Sequence, residues 1–141
     1  MGKINVKIVT PERVVYEDFV DQITLPTESG EITVLAGHIP MVSKLRAGEM
    51  RTKTGGDETV LAVSTGFIEV KPNSQVVILA DTAEREEELE IQKIEEAKAR
   101  AQKALESARD KDDVAFAHAA AMLEREMARY KVVIKKRKRT S

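Results

Sequence analysis

Leu79-Ala80-Asp81-Thr82-Ala83-Glu84-Arg85-Glu86-Glu87-Glu88 is the stretch across which this chain changes character. All seven glycines and all four prolines of the 141 residues lie before residue 73, and from Asn73 onward there is neither. Gly and Pro punctuate turns, so the first part turns often and the second hardly at all. Charge divides at the same place. Residues 1–83 carry 8 basic and 11 acidic side chains, whereas residues 84–141 carry 15 and 13. The total of 23 cations against 24 anions is therefore a sum over unlike halves, and two units are expected, residues 1–82 and 83–141.

Upstream of the junction the chain reads as short strands. In Lys3–Val9, Ile4, Val6 and Ile8 alternate with Lys3, Asn5 and Lys7, the period of a half-buried strand. Further β-like runs are Val20–Leu25, Glu31–Leu35, Met41–Lys44, Glu49–Thr54, Thr59–Ser64, Phe67–Lys71 and Gln75–Leu79. Turn chemistry separates them at Thr27–Gly30, Gly37–Pro40, Ala47–Gly48, Thr54–Asp57 and Pro72–Ser74. Many short strands at this spacing predict an antiparallel sandwich or barrel.

Downstream, the chain reads as two helices of about 25 residues, each near 40 Å at 1.5 Å per residue. Asp81-Thr82-Ala83-Glu84 has the form of a capping box, and the glutamates that follow suit a helix N-terminus. Ile94, Ala97, Ala101, Ala104 and Ala108 make one seam; Phe116, Ala120, Leu123, Met127, Tyr130 and Ile134 make another. The polar break Arg109–Asp113 between them supplies an N-cap and makes the helices antiparallel neighbours. The fold class expected is α+β, a sandwich followed by a two-helix hairpin. A seam lined by alanine buries little apolar area, so this hairpin needs the sandwich or another protein to hold it.

Chemistry is mostly excluded. The chain has no cysteine, hence no disulfide, thiol nucleophile or Cys-ligated zinc. His38 and His118 fall in different units without the neighbours a metal site needs. Gly55-Gly56 sits between strand-like runs and reads as a hairpin turn, not a phosphate loop. Ser64 lacks the first glycine of a nucleophile elbow. No apolar run approaches the ~20 residues that span a bilayer, so no direct membrane insertion is expected. The cations of Lys135–Arg139 could serve nucleic acid or an acidic protein surface, but they are confined to one terminus beside an acidic sandwich. No metal, no catalytic residue and no nucleic-acid partner are expected.

Four segments, in order and spacing, give the chain a resemblance to the ε subunit of bacterial and chloroplast F-type ATP synthases. They are Val9-Thr10-Pro11-Glu12, Ser29-Gly30-Glu31-Ile32 through Leu35-Ala36-Gly37-His38-Ile39-Pro40, Ser64–Val70, and Leu79–Arg85. Ala36 departs from the proline common in the family. The resemblance implies a non-catalytic rotor subunit that links the γ shaft to the c-ring, a peripheral protein on the cytoplasmic (or stromal) membrane face. It implies that Glu31 and His38 face ring and shaft. It further implies that the hairpin, when extended along the shaft to the α/β catalytic subunits, blocks ATP hydrolysis. Arg125, Arg129, Lys131, Lys135, Lys136, Arg137, Lys138 and Arg139 are then placed to meet an acidic stretch of the catalytic β subunit. Truncation after Glu84 should leave assembly intact and raise hydrolysis.

Some family members also bind ATP as a regulatory ligand in the folded hairpin, through an Ile/Leu-Asp-x-x-Arg-Ala motif. Here the matching residues are Leu89-Glu90-Ile91-Gln92-Lys93-Ile94, with Glu for Asp, Lys for Arg and Ile for Ala. Lysine cannot reproduce the guanidinium fork. The resemblance thus implies at most weak ATP contacts, at Leu89, Glu90, Lys93, Arg100, Arg125 and Arg129, and no cofactor otherwise.

Overall fold

The computed structural model of the chain describes residues 2–109 and 112–140, with side chains described through residue 136. Ten strands come first: β1 (Ile4–Val9), β2 (Val14–Val20), β3 (Gln22–Thr27), β4 (Gly30–Leu35), β5 (Met41–Leu45), β6 (Gly48–Thr54), β7 (Asp57–Val63), β8 (Gly66–Lys71), β9 (Gln75–Ala80) and β10 (Ala83–Arg85). A 3-10 turn at Glu86–Glu88 leads into α1 (Ile91–Ala108) and α2 (Asp113–Thr140). The expected α+β sandwich and helix pair are therefore present.

The strands form a continuous sheet in the order β10-β7-β6-β3-β5-β8-β9-β1-β2, with β4 on the free side of β3. It folds into two layers at its weakest rung, the single pairing of Thr27 with Leu45 between β3 and β5. Between the layers lies one core, including Ile4, Val6, Ile8, Ile23, Leu25, Met50, Leu61, Ile68 and Ile78, each fully buried. The period-two reading of the first strand matches its alternation of buried and half-buried residues. Inside the core, the hydroxyls of Tyr16 and Thr52 share a hydrogen bond of 3.1 Å that ties β2 to β6.

Several expectations need correction. One strand pair, β1 with β9, runs parallel rather than antiparallel. Val14–Val20 is a strand that the sequence pattern hides: Glu17, Asp18 and Phe19 are all exposed, so its pattern is not an alternation. Val20 ends that strand, and β3 begins only after Asp21. The capping box at Asp81–Glu84 does not form. Ala83–Arg85 instead pairs with Val63, Ala62 and Leu61 of β7, and Ser64 and Thr82 exchange hydrogen bonds ahead of it. Sheet pairing takes the backbone groups that a helix start would have used. The sheet thus runs three residues past the expected boundary at residue 82, and the first helix starts at Ile91.

The helices are accordingly unequal. α1 has 18 residues and α2 has 28, or about 27 and 42 Å by the helical rise. Asp112 supplies the expected N-cap to α2, its carboxylate accepting from the N–H groups of Val114 (2.9 Å) and Ala115 (3.4 Å). On α1, Ile94, Ala101 and Ala108 are buried as expected, but Ala104 is exposed. On α2 the expected seam is wrong in part. Phe116 and Met127 are exposed, while the buried residues are Ala119, Glu126, Ala128, Val132 and Val133. A single seam fits a helix with one neighbour, whereas α2 packs on α1 and on β6 and β7 together.

Candidate functional site

The place where α2 crosses the sandwich concentrates the charged chemistry of the molecule. Cross-strand partners in an antiparallel sheet point to the same face, so the pairing of Glu84 and of Glu49 with Ala62 puts all three in one row over β10, β7 and β6. Arg129, Val132 and Lys135 of α2 lie over that row at three-residue steps. Arg129 meets Glu84, Val132 packs on Val60 and Ala62, and the Lys135 ammonium lies 2.6 Å from Glu49. The spacings agree. Six helical residues rise about 9 Å, and two strand spacings are about 9.6 Å.

Arg129 is the centre of this contact. Its Nε donates to Glu84 Oε2 at 3.1 Å, an Nη donates to the other Glu84 oxygen, and the second Nη donates to Glu126 Oε2 at 2.6 Å. Burial opposes its charge, but the hydrogen bonds and charges of Glu84 and Glu126 outweigh that and hold its pKa above the ordinary guanidinium value. Stability from a raised pKa is fully present below the unfolded value, which for a guanidinium lies far above neutrality, so this contact does not change with pH through Arg129 near neutral pH. Glu126 is only 2% exposed, and its Oε2 also accepts from Arg125 Nε at 2.9 Å. Glu49, 7% exposed, is shared between Lys135 and Arg51, and Arg51 reaches on to Glu31 at 3.4 Å.

Under this crossing is a cavity of about 320 Å³. Leu89, Glu90, Lys93, Arg100 and Arg129 line it, five of the six residues named from sequence as ATP contacts. Arg125 does not; it is turned to Glu126. Glu84, Glu88 and Glu126 complete the acidic part of the wall, so four carboxylates face three cations. Glu90 is paired with Lys93 at 3.3 Å, and Leu89 packs beneath Val132. Sequence reasoning missed Glu49, Glu84 and Glu126. In the sequence Glu84 reads as part of a helix cap, Glu49 opens a β-like run and Glu126 lies beside the α2 seam, and all three patterns are normally read as surface.

The remaining sequence-named residues are dispersed. Glu31 is exposed on β4, and His38 sits in the β4–β5 turn with its Nδ1 2.7 Å from the Ile39 carbonyl oxygen. Lys131 is exposed on α2 and borders a larger groove between the helix and β5–β6. Lys136 is half-buried on α2, and the side chains of Arg137, Lys138 and Arg139 lie outside the described residues. On the other layer, Val42 (71% exposed), Phe67 (54%) and Leu79 (52%) form an open apolar strip across β5, β8 and β9. Among the described residues no cluster could hold a metal, and no helix is long and apolar enough to cross a membrane.

Comparison with known proteins bears on these surfaces. Residues 3–86 match the family described as ATP synthase, Delta/Epsilon chain, beta-sandwich domain. The ATP synthase epsilon chain of Dehalococcoides mccartyi is 43% identical over 140 residues, 98% of this chain and 97% of that one. The epsilon chain of Dichelobacter nodosus is 50% identical over 103 residues, 72% of this chain and 71% of that one. Among solved structures, a chain of the Euglena gracilis mitochondrial ATP synthase, in its OSCP/F1/c-ring assembly, superposes with a TM-score of 0.74 at 25% identity. That match covers 91% of this chain and 79% of that one. A chain from the central stalk and c-ring of the Tetrahymena thermophila mitochondrial enzyme has a TM-score of 0.62 at 15% identity and shares the fold, covering 95% and 96%.

Proposed function

Since the chain belongs to the ATP synthase epsilon-chain family, we propose that it is a non-catalytic part of the rotor whose hairpin regulates the direction of turnover. Its sandwich joins the γ shaft to the c-ring, and its α2 helix restrains ATP hydrolysis when it leaves the sandwich. A single observation carries the regulatory half of this reading. The cations of α2 that would meet an acidic surface of the catalytic head are already engaged by acidic residues of the sandwich, Arg129 on Glu84 and Lys135 on Glu49. The same charges can serve two positions of the helix but not both at once, which is what a two-state element requires.

The joining half is supported by the likeness to a chain of the Euglena mitochondrial enzyme, whose structure is an assembly of OSCP, F1 and the c-ring. Glu31, exposed at the start of β4, and half-buried His38, past the other end of that strand in the β4–β5 turn, are assigned to ring and shaft. The strip Val42–Phe67–Leu79 is the apolar surface that α2 leaves uncovered and is assigned to the shaft. As a rotor part, the protein is peripheral to the membrane.

Truncation tests the regulatory half. Because β10 extends through Arg85 and carries a ladder to β7, the cut belongs after Glu88 rather than after Glu84. Complexes assembled with the truncated chain should retain coupled synthesis and show raised ATP hydrolysis. Unchanged hydrolysis would remove the hairpin from regulation.

A further inference from the structure

We infer that Glu126 is a built-in counter-anion which fills the arginine cluster beneath the hairpin, so that α2 stays on the sandwich without any nucleotide. The inference deepens the regulatory reading above and rests on it. A carboxylate at 2% exposure is tolerated only when cations surround it. Here Arg125 and Arg129 both donate to its Oε2, at 2.9 and 2.6 Å. Arg129 then turns its Nε edge to Glu84, so both sides of the guanidinium face carboxylates.

An external phosphate entering the 320 Å³ cavity would find this arginine occupied and four carboxylates in the wall. Like-charge repulsion across a partly desolvated site opposes that entry. Lys93 is on the exposed rim, where Glu90 lies 3.3 Å from it and offsets its charge. Ile94, 4% exposed, puts a bulky side chain where the resemblance has alanine. The residues do not fit a bound nucleotide, and the internal carboxylate takes the place of its phosphates. Release of α2 is therefore governed by a competing acidic protein surface, which must replace Glu84 and Glu49 as partners of Arg129 and Lys135.

The test uses the isolated full-length chain. Because the chain has no cysteine, Lys53→Cys on β6 and Lys103→Cys on α1, both at exposed positions, can carry a fluorophore pair that reports the hairpin leaving the sandwich. Inorganic triphosphate and ATP are the probes. In the parent chain neither probe should bind or change the transfer signal. Glu126→Ala should raise the open-to-closed ratio on the order of tenfold or more, since it leaves two arginines without their shared partner. Triphosphate should then re-close the hairpin, and Arg129→Gln in the same chain should abolish that rescue. Hydrogen exchange at β1 and β8 checks that the sandwich stays folded in each variant. A response of the parent chain to triphosphate would overturn the inference. So would a Glu126→Ala chain that stays closed, or one that opens and is not rescued. No hydrolysis is measured, so failure here leaves the truncation experiment standing, and failure there leaves this one standing.

Discussion

At the scale of single residues, the sandwich depends on a few positions where chain passes close to chain. A Cβ on Gly66 would lie 2.9 Å from Ala80 Cα and overlap the Leu79 carbonyl, both inside the β8–β9 ladder. Backbone held by a ladder cannot give way as a flexible side chain does. Gly66→Ala is expected to cost about 1–3 kcal/mol as an overpacking change, read as a lowered midpoint in denaturant. Asp21 offers a second test. Its carboxylate accepts from the Gly55 N–H at 2.7 Å, and that bond, helped by Lys3, holds its pKa below the ordinary 3.8 despite the opposing effect of desolvation. A depressed carboxylate contributes stability above its unfolded pKa and loses it as pH falls through the folded one. Asp21→Asn should therefore be less stable than the parent at neutral pH, and the gap should close as the pH drops below 3.8. Melting curves at neutral and acid pH decide this, and a gap that persists in acid would show the carboxylate charge to be irrelevant.

At the scale of elements, what could be read in advance follows from how many neighbours each element has. β1, β8 and β9, and the turns at Thr54–Asp57 and Pro72–Ser74, were legible because local pattern and local chemistry decide them. β2 was not legible, since its exposed Glu17–Phe19 run breaks the alternation. Nor was β10, whose three residues are held by β7, a partner that local sequence does not reveal. The α2 seam was half legible for the same reason: two packing surfaces widen the buried arc and bring Glu126 inside it. The ionic row was invisible, because it needs the β7 register before Glu84 and Glu49 can be seen as neighbours. The helix pair supplies its own prediction. Ala101 is fully buried between α1 and α2, so Ala101→Leu should force the helices apart and cost about 1–3 kcal/mol of hairpin stability. The measurement is helical content by circular dichroism during heating; an unchanged hairpin transition would mean that the seam has room to spare.

Taken whole, the molecule joins a close-packed sandwich to a hairpin whose contact with it is narrow: α2 touches β6, β7 and the turn before α1. Local opening free energy follows buried apolar contact. Amides of α1 and α2 should therefore exchange faster by orders of magnitude than those of β1, β8 and β9, as hydrogen-exchange mass spectrometry would show. Equal protection throughout would mean that hairpin and sandwich open as one unit. The row of Glu84, Ala62 and Glu49 under Arg129, Val132 and Lys135 has a mechanical consequence. It works as a vernier, two scales that coincide at one setting. A slide of α2 by one strand spacing, about 4.8 Å, brings either Arg129 or Lys135 over Ala62 and carries the other off the end of the row, so both pairs are lost. No neighbouring setting restores both pairs, so the helix has no intermediate stops along the sandwich. Under the regulatory role proposed above, the helix disengages in one step, and a shaft turning beside it would meet a brake that is either off or on.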